Sequence, residues 1–209
     1  MTHSFLTRRQ AASVVALCCT SSFALAGQTA TSAPTLTGDA ACALQWVTAR
    51  RDNRDRAFAI VDKKEGKIYV FDRKGRLAGT SPALVGKSSG DMDEPGVGHL
   101  EVSQLTTEQR KTPAGRFNSL PAADHAAEII WFDYDAGLAI HQLASDSTYV
   151  PRMSRLRSPD PAGRRITAGC VAVPVEFFAK IVRPVLGARA GVVYVLPDTL
   201  PINDFFPAG

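Results

Sequence analysis

Short runs of β-branched and aromatic residues, each closed by a turn bearing glycine, proline or aspartate, constrain this chain more than any other feature. Ala57-Phe58-Ala59-Ile60-Val61-Asp62 and Lys67-Ile68-Tyr69-Val70-Phe71-Asp72 flank the polar loop Lys63 to Gly66, the pattern of a β-hairpin. Asp72-Arg73-Lys74-Gly75-Arg76 is the next turn. Leu77 to Val85 then reads as a third strand in which Pro82, lacking a backbone donor, implies an edge or a bulge. Glu128 to Tyr134 and Leu138-Ala139-Ile140-His141 form a second hairpin across Asp135-Ala136-Gly137, and Gly191 to Leu196 is a final buried strand. Two segments carry helical spacing instead. In Asp39 to Val47 and just beyond, Cys42, Trp46 and Ala49 share one stripe, which predicts a small buried thiol beneath a tryptophan. Pro174 to Val182 has proline near its first turn and apolar residues at Phe177, Phe178, Ile181 and Val185, with Pro184 expected to end it. The chain is therefore mainly β, with an N-terminal helix and a helix after Cys170.

The first 26 residues have a different character. Arg8-Arg9 precedes an apolar stretch from Ala11 to Leu17 and the cleavage-type sequence Ala24-Leu25-Ala26, so residues 1–26 read as a removable export signal. The stretch is far shorter than the roughly 20 apolar residues of a membrane span. Thr7-Arg8-Arg9-Gln10 resembles the start of a twin-arginine signal, but Ala11 and Ala12 replace the usual bulky residues, so either that route or the general secretory route fits. Lipidation at Cys18 or Cys19 is an alternative with poor preceding residues. Residues 27–38, rich in Thr, Ser and Ala, read as a flexible leader, and residues 39–209 as one domain in the periplasm or cell envelope. Removing residues 1–26 takes away Arg8 and Arg9 and no acid, lowering the net charge from +4 to +2. A charge that small implies no nucleic-acid partner and only weak attraction to an anionic wall.

The chemistry concentrates at Thr167-Ala168-Gly169-Cys170-Val171. A glycine before a cysteine permits a tight turn that aims backbone N–H groups at a bound carbonyl, and a distant histidine, His141, is positioned to take the thiol proton. Processing leaves two cysteines, Cys42 and Cys170; a bridge between them is the alternative to a free nucleophile. Gly86 to His99, with Asp91, Asp93 and Glu94, lacks the spacing of a calcium loop and reads as a solvated acidic turn. His99 and His125 read as surface histidines, and no metal or cofactor is expected. Between His141 and Ile166, Pro151, Pro159 and Pro161 suggest an irregular lid or wall beside the cysteine.

Three segments, in this order, resemble the L,D-transpeptidase catalytic domain of the YkuD type: Thr112-Pro113-Ala114-Gly115-Arg116-Phe117, His141, and Arg165-Ile166-Thr167-Ala168-Gly169-Cys170-Val171. The likeness extends from about Ala57 to Leu196. It implies a β-sandwich of that type acting without a cofactor on peptidoglycan stem peptides, with Cys170 as nucleophile, held partly as thiolate by His141 as base. The N–H groups of Gly169 and Cys170 are the candidate oxyanion donors, Thr167 hydrogen-bonds within the turn, and Gly115 serves a tight turn. Arg164 and Arg165 would bring positive charge near the thiol or bind a substrate carboxylate; the alternative is a solvated loop. The expected outcome is release of D-alanine and a crosslink between third residues. Ala168, beside the nucleophile on the substrate side, and Ala172 stand where the family frequently has histidine and arginine or asparagine. These departures keep two alternatives open, a carboxypeptidase or crosslink hydrolase using the same site, and a wall-binding module that has lost turnover.

Overall fold

A computed structural model describes residues 35–120 and 128–207. Residues 1–26, read as an export signal, most of the segment read as a leader, and His125 lie outside the described residues. Helix α1 (Gly38–Arg50) begins where Thr37 Oγ1 accepts the Ala40 N–H and ends at Arg51 in a left-handed conformation. Thr37 also donates to Asp62 at 2.6 Å and Leu36 packs on the core, so the last leader residues are anchored. The buried stripe of α1 is Ala40, Ala43 and Val47, not Cys42, Trp46 and Ala49. Small residues on that stripe let the helix approach a sheet face filled by Phe58, Tyr69 and Tyr194. Trp46 reaches the cluster edge-on, and Cys42 is left half-buried and free.

The main sheet contains β1 (Phe58–Asp62), β2 (Lys67–Phe71), β3 (Leu77–Pro82), β10 (Gly191–Val195) and β5 (Gly115–Ser119), in the order β3-β2-β1-β10-β5. β1 and β10 run parallel and every other neighbour is antiparallel. Successive side chains alternate faces, so Phe58, Ile60, Val192 and Tyr194 meet α1 while Ala59, Val61, Val193 and Val195 enter a second core. β3 is an edge strand, as Pro82 implies.

Across that second core lies a three-stranded sheet, β6 (Ile129–Asp133), β7 (Leu138–Gln142) and β9 (Val171–Val173), ordered β6-β7-β9. Ile130, Phe132, Ile140, Val171 and Val173 point inward, which makes the two sheets a sandwich. The short strands β4 (Val85–Gly86) and β8 (Arg165–Thr167) pair in parallel beside it.

Two helical features depart from the sequence reading, and both concern proline. Tyr149–Arg157 is helix α2, with Pro151 in the first turn, where a backbone N–H has no intrahelical partner to lose. After Cys170, α3 (Val175–Phe177) passes through a π-helical turn (Phe178–Val182) into α4 (Arg183–Leu186), so the helix continues past Pro184. The wider turn relieves the clash a proline ring makes with the preceding turn, and Pro184 falls in the first turn of α4. Phe178, Val182 and Leu186 thereby reach the sandwich core. A last short helix, α5 (Ile202–Phe205), brings Phe206 against Trp46 and Tyr194.

The acidic turn is only partly solvated. Asp91 is buried and accepts from Lys63 Nζ (2.8 Å), Thr199 Oγ1 (2.6 Å) and the N–H groups of Asp198, Thr199 and Leu200. Burial alone would raise the Asp91 carboxyl, but these donors outweigh it and hold the group well below the usual carboxylate range. A depressed folded value stabilises the fold fully above the unfolded aspartate value of about 3.9, and the contribution is lost as pH falls below it. Asp91→Ala, which strands the Lys63 ammonium, is expected to cost about 3–5 kcal/mol in urea unfolding at pH 7. The gap between wild type and variant should narrow as unfolding is repeated at lower pH; a gap unchanged down to pH 2 refutes this account.

Candidate active site

Strand register brings His141 and Cys170 together. β7 and β9 run parallel with Ile140 beside Val171 and His141 beside Ala172, so one step back sets Cys170 beside Ala139. Ile140 and Val171 face the core, which turns His141 and Cys170 to the opposite face. The sulfur lies against the backbone of the β6–β7 turn: the thiol donates to Gly137 O at 3.5 Å, and the Ala139 N–H donates to the sulfur. These backbone partners have no side-chain signature and are not legible in the sequence.

The imidazole is oriented by its own strand. Nδ1 lies 2.7 Å from the Gln142 carbonyl, which can only accept, so Nδ1 carries the proton, and Nε2, with no hydrogen-bond partner among the described residues, is left as an acceptor. Burial lowers the His141 pKa, the Gln142 carbonyl partly opposes this, and Arg152 on α2 lowers it further. Burial raises the Cys170 thiol, against the Ala139 N–H. Among the described residues no hydrogen bond joins Sγ to the imidazole. Both shifts run against a thiolate–imidazolium pair, the opposite direction to the partly ionised sulfur that the resemblance implies.

The turn from Thr167 to Cys170 is braced from two sides. Thr167 does hydrogen-bond within the turn: its hydroxyl donates to Cys170 O at 2.7 Å and accepts the Gly169 N–H at 3.2 Å. The Gly169 N–H is therefore engaged, and of the two expected oxyanion donors the Cys170 N–H is the one left to meet a ligand. Gly169 has φ +141°, and a Cβ there would stand 2.7 Å from Lys111 O and 2.8 Å from Leu138 Cδ2. Both the backbone conformation and the packing require glycine. Thr112, outside the turn, donates its hydroxyl to Gly169 O at 2.7 Å. Gly115 opens β5 with φ +146°.

The two arginines are not at the thiol. Arg164 is buried and donates to the carbonyls of Glu65 (2.8 Å), Gly66 (3.3 Å) and Ser158 (2.6 Å); Arg165 pairs with Asp198 at 2.6 Å. Neither lines the cleft beside Cys170, so the arrangement supports neither substrate binding nor a solvated loop; they pin loops together. The cation the cleft does contain is Lys111, paired with Glu94 at 2.7 Å. Ala168 lines the cleft, whereas Ala172 packs with Leu84, Leu143 and Leu156, an apolar setting in which an arginine would be costly.

The cleft itself has a volume of about 170 Å³ and is bounded by Cys170, the β6–β7 turn and a cover drawn from residues 97–105, a segment with two 3₁₀ turns (Val97–His99 and Val102–Gln104). A Cβ on Gly98 would overlap the Asp135 carbonyl, so this cover sits directly on the β6–β7 turn. α2 walls the His141 side through Leu156 and Met153, giving the segment read as a wall a regular structure. His99 is exposed.

A half-buried cysteine, an imidazole with a free Nε2 and an open backbone N–H on one sheet face make a site capable of thiol-dependent acyl transfer. The pattern of the L,D-transpeptidase catalytic domain, YkuD, matches residues 56–187, and the chain belongs to that family. No curated protein sequence matches it. Among solved structures it is similar to the L,D-transpeptidase from Mycobacterium smegmatis, with 12% identity over 67% of this chain and 58% of that chain and a TM-score of 0.39. It is also similar to the catalytic domain of the E. faecium L,D-transpeptidase (14% identity, 68% and 98% covered, TM-score 0.38). A third is the helical cell shape determining protein Pgp2 from Campylobacter jejuni (16% identity, 69% and 49% covered, TM-score 0.42). The chain spans less than two thirds of the mycobacterial and Campylobacter chains.

Because the thiol pKa is raised, alkylation of Cys170 by iodoacetamide is expected to be slower at pH 7 than that of free cysteine. The rate should climb with pH to a midpoint above about 8.5, the value of an unperturbed thiol. A midpoint below that value would refute the upward shift of the thiol.

Proposed function

We propose that this chain is an exported cysteine acyltransferase that cuts peptidoglycan stem peptides through a thioester on Cys170. The observation that carries the reading is the convergence of Cys170, the free Nε2 of His141 and the open Cys170 N–H on one face of the β7–β9 pair. Substrate enters beneath the cover at residues 97–105, and its third-residue carbonyl meets the sulfur. The thiol proton passes to His141 Nε2 as the C–S bond forms, and the oxyanion is met by the Cys170 N–H. Collapse breaks the C–N bond, and the departing D-alanine amine takes the proton from His141. An acceptor amine then gives its proton to His141 and attacks the thioester, forming an amide between third residues and returning sulfur to the thiol. With water as acceptor the product is a trimmed stem.

One observation favours trimming as a second reading: a cleft of about 170 Å³ admits water far more readily than a second stem peptide. The residues 1–26, read as an export signal, fit delivery of either activity to the envelope.

Incubation with purified tetrapeptide muropeptides separates these readings. Free D-alanine with dimers supports crosslinking, and free D-alanine alone supports trimming. Cys170→Ala should abolish both products and His141→Ala should slow release by roughly 10²–10⁴-fold. No D-alanine from the wild-type protein would overturn the enzymatic reading in favour of a wall-binding module.

A further inference from the structure

The carbonyl of Gly169 and the N–H of Cys170 are the two ends of one planar peptide group, so whatever fixes the first aims the second. The group that fixes it is Thr112. Its hydroxyl is buried, donates its only proton to Gly169 O at 2.7 Å and accepts the Gly86 N–H at 2.9 Å. The Thr112 backbone is held as firmly, because its carbonyl accepts from Lys63 Nζ at 2.8 Å. The hydroxyl thus has a single orientation, set from outside the turn.

We propose that Thr112 is a positioning residue that holds the Gly169–Cys170 peptide with its N–H directed at the substrate oxyanion, an inference that rests on the acyl-transfer reading of Cys170. Gly169 is the one residue of the turn whose backbone lacks a Cβ to limit it, so its carbonyl is the end of this peptide most in need of an external brace. Thr167 secures the peptides on either side through the Gly169 N–H and the Cys170 carbonyl, and leaves the middle one to Thr112. A hydrogen bond accepted by the carbonyl also polarises the peptide and strengthens its N–H as a donor. Donors of this kind act only at about 2.7–3.1 Å from the developing oxyanion, so a modest rotation of the plane removes the effect.

The test compares two reactions of Cys170 in the full chain. Alkylation by iodoacetamide forms a C–S bond and expels iodide without an oxyanion. Acylation by p-nitrophenyl acetate forms a C–S bond through a tetrahedral oxyanion, with loss of the thiol proton, and expels nitrophenolate. Thr112→Val is expected to lower the acylation rate constant by roughly 10-fold to 100-fold, less than the roughly 10²–10³-fold loss typical of deleting a donor outright. Alkylation should change by less than about twofold, and Thr112→Ser should restore acylation. Thr112→Ala, which removes the hydroxyl without placing a methyl against Gly86 and Gly169, is scored by the same ratio should the valine variant not fold. In muropeptide turnover the loss should fall on kcat with KM little changed. Acylation at the wild-type rate in the valine or alanine variant overturns the proposal, as does an equal fall in both reactions, which marks general damage to the turn. A wild-type protein that is alkylated but never acylated overturns the acyl-transfer reading first and the positioning role with it.

Discussion

A lysine ammonium with almost no access to water organises the end of the sandwich on which the site is built. Lys63 follows β1 and its Nζ has three acceptors at 2.8 Å, Gly90 O, Asp91 Oδ1 and Thr112 O. Burial lowers its pKa despite these partners, which measures how strongly the interior disfavours the charge. An ion buried this deeply is tolerated only when every proton is matched, so the geometry of the loops around it is over-determined. Those loops come from four separated parts of the chain: the end of β1, the root of the acidic turn, the entry to β5, and residues 198–200 after β10. β1 and β10 are parallel neighbours, so both strands deliver their C-terminal ends to the same corner. One residue of that corner, Thr112, reaches the cysteine turn directly.

The smaller sheet contributes a different constraint. With a period of two, the residues that fill the sandwich core and the residues that face outward alternate along β7 and β9. Ile140 and Val171 anchor the pair to the core, and His141 and Cys170 project outward as a direct consequence. A slip of one residue in this pairing would bury the imidazole and expose isoleucine, so the core that stabilises the sheet also fixes the relation between sulfur and base. Ala172 shows the same logic on the outer face: it lies beside His141 in register and under α2, where a short side chain allows Leu84, Leu143 and Leu156 to close together.

Much of this was legible in the residues. Both hairpins, the buried final strand, the helix after Cys170 and the edge role of β3 follow from alternation, turn chemistry and Pro82. The glycine before Cys170 reports a left-handed turn that the structure contains. What was not legible depends on distance along the chain. Arg164 and Arg165 look like free cations beside a nucleophile, and their engagement with Glu65, Gly66, Ser158 and Asp198 is invisible until the chain folds. Asp91 looks like one of several acids in a glycine-rich loop and is the one chosen by Lys63, 28 positions away. Pro151 and Pro184 read as breakers, but Pro151 stands in the first turn of α2 and Pro184 follows a π-helical turn that carries the helix past it, features that no local sequence signal marks. The stripe on α1 was misplaced by its most conspicuous residues: Trp46 is large and partly exposed, while the packing face consists of two alanines and a valine.

The opposite shifts of Cys170 and His141 have an energetic consequence for how such a site can work. Between a free thiol near 8.5 and a free imidazole near 6.5, proton transfer is uphill by about two units, about 2.7 kcal/mol. Here burial moves the two groups further apart, the thiol upward and the imidazole downward, which widens the gap. The Ala139 N–H and the Gln142 carbonyl each oppose that trend, one by favouring the thiolate and the other by favouring the imidazolium, and neither overcomes it. Both shifts therefore work against a stored ion pair. In an acyl transfer the negative charge leaves the sulfur for the carbonyl oxygen as the bond forms, and donors aimed at that oxygen stabilise a charge that the cleft otherwise disfavours. Ionisation and attack become one step, and the barrier falls to whatever holds the Cys170 N–H in place.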